Sequence, residues 1–79
     1  MAVNQKLAEL ERKGEDAYAA MYSARPAAVK DCYEDSRSQF LLAIEEAKLC
    51  GAADEMARLK RRLAHIQAVY DSQFRGIGW

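Results

Sequence analysis

Two cysteines, one histidine and one proline in 79 residues leave the chain short of the residue types that staple a small fold, coordinate metals or break helices. Cys32 and Cys50 stand 18 positions apart. On one helix that spacing is about 27 Å, against the roughly 4.4 to 6.8 Å between Cα atoms that a disulfide allows. Free thiols, and with them a cytoplasmic location, are therefore expected. Neither a C-x-x-C nor an H-x-x-x-H pair occurs, and Glu-x-x-His is absent, so no metal and no cofactor are expected. Charge of one sign is missing too. Twelve Lys and Arg balance twelve Asp and Glu, which removes whole-molecule attraction to nucleic acid or anionic lipid. The longest uncharged runs, such as Gln39 to Ile44 and Ala64 to Tyr70, fall far below the roughly 18 to 20 residues of a membrane span. The opening residues have no basic region followed by an apolar run, so no secretory signal is expected.

What remains is a composition of 51% hydrophobic and 30% charged residues, that of one folded domain. β-branched residues are scattered singly, which argues against strands. Val3, Leu7, Leu10, Gly14, Ala17 and Met21 form one stripe of a first helix, expected over residues 3 to 23. Gly14 inside that stripe marks a point where a neighbouring backbone comes close. Pro26 opens a second helix over residues 26 to 50. One side of it carries Val29, Tyr33, Ser36, Phe40, Ile44 and Ala47, with Leu42 and Leu49 displaced around the axis, and two apolar faces suit a central helix. Ser36 and Gln39 also have capping-box spacing, so a restart there stands beside a continuous helix. Gly51 ends the second helix in a left-handed conformation. A third helix over residues 53 to 75 follows from Met56, Leu59, Leu63, Ile66, Tyr70 and Phe74. Gly76 with Ile77 is its expected stop, and Trp79 is either a frayed tail or an anchor. Short connections make an all-α, three-helix antiparallel bundle.

Chemistry-bearing constellations are few. His65 has Arg58, Arg61 and Arg62 at helical spacing and no base or carboxylate, and reads as a surface residue. Asp31 and Asp35 stand beside Cys32 and no base does, so both cysteines read as buried or half-buried structural residues. Phosphate-cradling glycine loops and nucleophile elbows are absent. No catalytic activity and no small-molecule substrate are expected. The third helix concentrates Arg58, Lys60, Arg61, Arg62 and His65 within eight residues. This basic edge is expected to meet Glu34, Glu45 or Glu46 of the second helix, or an acidic partner. Tyr18 with Tyr22, and Tyr70 with Phe74, are aromatic pairs at i,i+4 suited either to the core or to an interface. Arg58, Arg61, Arg62, His65, Tyr18 and Tyr22 are thus the candidate partner-binding residues.

The segment Tyr33 to Gly51, with Phe40 and Ala43 at the aromatic and alanine positions and Ser36 in place of a small alanine, resembles the second helix of a tetratricopeptide repeat. Lys13-Gly14 and Tyr18 approximate that repeat's Leu-Gly and Tyr positions, the connection to Phe40 is several residues longer, and no second full repeat follows. The resemblance implies a helix hairpin that binds a peptide or another helical protein. A protein-interaction module follows: an adaptor, a chaperone-like subunit or an oligomerising unit. Small domains without disulfide or metal often gain their margin by oligomerising, and a two-fold homodimer through the first and second helices is expected. A nucleic-acid-associated regulator using the basic edge of the third helix is the alternative.

Overall fold

Three amphipathic stripes, each too narrow to be covered by its own helix, are buried against one another. The structure is a computed structural model that describes residues 5–74. Helix α1 runs Gln5–Met21, α2 Pro26–Leu49 and α3 Ala53–Val69, and a π-helical turn, Tyr70–Phe74, prolongs α3. Among the described residues there is no strand. The expected all-α three-helix architecture is the one observed, up, down and up, in a body 45 Å long and 18 by 13 Å across. Val3, Gly76, Ile77 and Trp79 lie outside the described residues.

The α1–α2 seam is the tightest contact. A Cβ built on Gly14 would sit 2.6 Å from both Cδ2 and Cε2 of Phe40, so the absence of a side chain is what lets the Phe40 ring lie on the α1 backbone. One helical turn away, the buried Ser36 hydroxyl donates to the Gly14 carbonyl at 2.8 Å. That contact settles the alternative at Ser36. The helix is continuous through it, and the hydroxyl serves a neighbouring helix instead of capping its own. Burying a polar group without a partner is costly, and among the described residues no buried side-chain nitrogen or oxygen lacks one.

Around this seam Leu7, Phe40, Ala43, Ala47, Leu59, Leu63 and Ile66 form the main core. A second cluster of Met21, Val29 and Phe74 closes the far end. On an α-helix each step of four residues drifts about 40° past a full turn, so Ile66, Tyr70 and Phe74 would walk away from the core. The wider π-turn takes up that drift. Tyr70 stacks on Tyr33, centroids 4.0 Å apart and planes 8° from parallel, and Phe74 meets Tyr22 edge-on at 5.0 Å. The i,i+4 pair Tyr70 and Phe74 thus serves two different partners.

The connection between α2 and α3 follows the expectation for Gly51, whose φ is +70°. Its N–H donates to the Lys48 carbonyl at 3.1 Å and that of Ala52 to the Ala47 carbonyl at 2.9 Å. These are the two bonds of a Schellman motif.

Candidate interaction surface

An acidic pair spaced by four on α1 faces a basic pair spaced by four on α3. Arg58 donates to Glu11 through Nη1 and Nη2 at 2.7 and 2.8 Å. Arg62 donates to Glu15 through Nε and Nη2 at 2.6 and 2.8 Å. Both pairs bridge 47 residues of chain, because α1 and α3 run parallel, one α2 apart in sequence. Arg58 also pairs with Glu55 of its own helix. The Arg62 guanidinium lies 5.2 Å from the centroid of the Tyr18 ring, a cation–π distance. Hydrogen bonds from Arg58, more than its charge, hold the Glu11 carboxyl below its ordinary value against the effect of burial. Glu11 first and Glu55 second hold the Arg58 guanidinium above its own.

The basic edge is therefore divided. The expected partners Glu34, Glu45 and Glu46 on α2 are not the ones it meets: Glu34 and Glu45 are exposed, and Glu46 lies 3.6 Å from Lys6 of α1. A wheel of α3 alone could not distinguish the α1 side from the α2 side, since both flank the same apolar stripe. The matched spacing of Glu11 with Glu15 and Arg58 with Arg62, read in a parallel register, was the available signal. Arg61 and His65 turn outward and are exposed, as is Lys60.

Tyr18 is half-buried and Tyr22 is 57% exposed. Their rings pack edge-on at 5.7 Å and their hydroxyls lie 3.1 Å apart. The shared hydrogen bond, ahead of burial, raises the Tyr18 phenol above its usual value. Of the six candidate residues, Arg58, Arg62, Tyr18 and Tyr22 come together along the α1–α3 edge, and Arg61 and His65 do not.

The larger unpartnered feature is on α2. Leu41, Leu42 and Leu49 are 42%, 54% and 74% exposed, and with Tyr22 they are the exposed large hydrophobic residues of the described chain. Asp31, Glu34, Asp35 and Glu45 are exposed on the same helix. Neither cysteine is in a disulfide; Cys32 is half-buried and Cys50 exposed. The latter departs from the expected burial because the turn at Gly51 carries Cys50 to the end of the bundle. Among the described residues no group of three or more His, Cys, Asp or Glu side chains could hold a metal ion, and no helix is long and apolar enough to cross a membrane.

No protein-family model, no curated protein and no solved structure matches the chain.

Proposed function

We propose that the chain is a small, non-catalytic protein-interaction module of the cytoplasm that works by self-association, with the outer face of α2 as its contact surface. One observation carries this reading: three of the four exposed large hydrophobic side chains, Leu41, Leu42 and Leu49, fall on a single helix. Isolated exposed leucines are ordinary, whereas a shared apolar face marks a contact site. The helix-binding hairpin implied by the tetratricopeptide resemblance is compatible with such a face, and a two-fold dimer is the simplest assembly it supports. Sedimentation equilibrium at micromolar concentration should give about twice the 8.9 kDa chain mass. The double substitution Leu42→Glu with Leu49→Glu should return it to the monomer. A wild-type mass that stays monomeric as concentration rises would sink the reading.

The exposure of Lys60, Arg61 and His65 on the outer side of α3 supports the alternative, a nucleic-acid-associated regulator. Arg58 and Arg62 are engaged with carboxylates, so Lys60 and Arg61 would reach about two phosphates and log affinity would fall with log salt at a slope of about −1.8. Absence of any RNA or DNA retention at low salt would remove this alternative.

A further inference from the structure

The exposed leucines of α2 are in phase with the buried stripe of α3. Leu42, Glu45, Leu49, Ala52, Met56, Leu59, Leu63, Ile66 and Tyr70 follow one another at alternating steps of 3 and 4, the a and d positions of a heptad repeat that runs straight through the turn. In the closed bundle the two halves of this stripe are treated oppositely: Leu59, Leu63 and Ile66 are buried, Leu42 and Leu49 exposed. The residues that α2 buries, Val29, Ser36, Phe40, Ala43 and Ala47, all fall at b and f of the same register, on the other side of the helix. A single helix could thus hold α1 on one side and offer a continuous seam on the other.

Between α2 and α3 the backbone of the closed form differs from such a helix only at the turn. Cys50 already has helical backbone angles, φ −86° and ψ −2°. Only Gly51, at φ +70°, and Ala52, at φ −92° and ψ 76°, depart from them before α3 begins at Ala53. In the straightened register Gly51 is at position c, facing water. We propose that the Gly51–Ala52 turn is a hinge, and that the occupant of the α2 leucine face is a second copy of this chain in which the same turn is straightened. The two copies then pair as an antiparallel coiled coil over residues 42 to 70. Charge sets the direction of the pairing: side by side in parallel, Glu45 at d would face Glu45 of the other copy, whereas in the antiparallel pairing Glu45 and Glu46 lie beside the other copy's Lys60 and Arg62. Opening releases Arg58 and Arg62 from Glu11 and Glu15 and lifts Leu59, Leu63 and Ile66 off Leu7, Phe40, Ala43 and Ala47, an apolar surface that the second copy must cover again, while the Phe40–Gly14 contact keeps α1 on α2.

This inference rests on the self-association reading and is tested apart from it. Gly51→Ala disfavours the left-handed turn and favours a continuous helix, so light scattering should show the dimer's share rise by about tenfold or more in the association constant. Small-angle X-ray scattering then distinguishes the two forms. A straight helix from Pro26 to Phe74 is about 73 Å long at 1.5 Å per residue, against a closed body of 45 Å. An elongated dimer that disappears with Leu42→Glu and Leu49→Glu supports the hinge. A dimer that keeps the closed bundle's length overturns the hinge and leaves self-association standing, and a monomer at every concentration overturns both. Should Gly51→Ala lose its helical circular dichroism, the scattering length of concentrated wild-type protein decides the same question.

Discussion

α1 meets its two neighbours by different means. Toward α2 it offers a bare backbone at Gly14, on which Phe40 lies, and a carbonyl bonded by a buried hydroxyl. Toward α3 it offers Glu11 and Glu15 to two partly exposed arginines. The first contact is made by shape in a dry interior, where a displacement of a few tenths of an ångström is felt. The second is made by charge at the rim, where water and salt compete with the partner. The contact of α1 with α2 therefore answers to side-chain volume, and its ion pairs with α3 answer to salt and pH.

Four substitutions sharpen the contrast, in decreasing order of effect. Phe40→Ala should destabilise by about 3 to 5 kcal/mol, the range for truncating a buried phenylalanine, read from chemical denaturation. Gly14→Ala should cost about 1 to 3 kcal/mol through overpacking, although the same change in an exposed helix would stabilise by about 1 kcal/mol. Pairing it with Phe40→Leu should recover part of the loss, and strictly additive effects would mean that the ring does not lie on the Gly14 backbone. Ser36→Ala should remove about 0.5 to 1.5 kcal/mol, as one neutral hydrogen bond is lost. Arg62→Ala should change stability by less than about 1 kcal/mol, with a difference from wild type that shrinks in high salt. A loss as large as that of Phe40→Ala would make the rim equivalent to the core and undo the distinction.

The rim also predicts a pH dependence. Glu11 is held below its ordinary value of 4.5 in the folded chain. A carboxylate depressed on folding contributes stability that is fully present above the unfolded value and disappears as pH falls through the folded one. Melting temperatures of wild type and Glu11→Gln should therefore differ above pH 4.5 and converge in stronger acid. A constant difference across that range would show that Arg58 is not what stabilises the ionised form.

The register of apolar residues at steps of three and four was enough to place all three helices, because that periodicity is a property of the helix itself and survives any packing. Pro26 and Gly51 likewise declared the breaks by backbone restriction alone. The candidate surface was legible only in part. Leu42 and Leu49 were visibly off the inner stripe of α2, but a helical wheel has no outside until its neighbours are in position. The same holds for Arg58 and Arg62, whose partners were sought on α2 and lie on α1. A sequence lists which faces a helix has. Which of them meet, and whether a serine hydroxyl such as that of Ser36 caps its own helix or bonds the next, depends on distances between segments far apart in the chain, and only tertiary packing sets those.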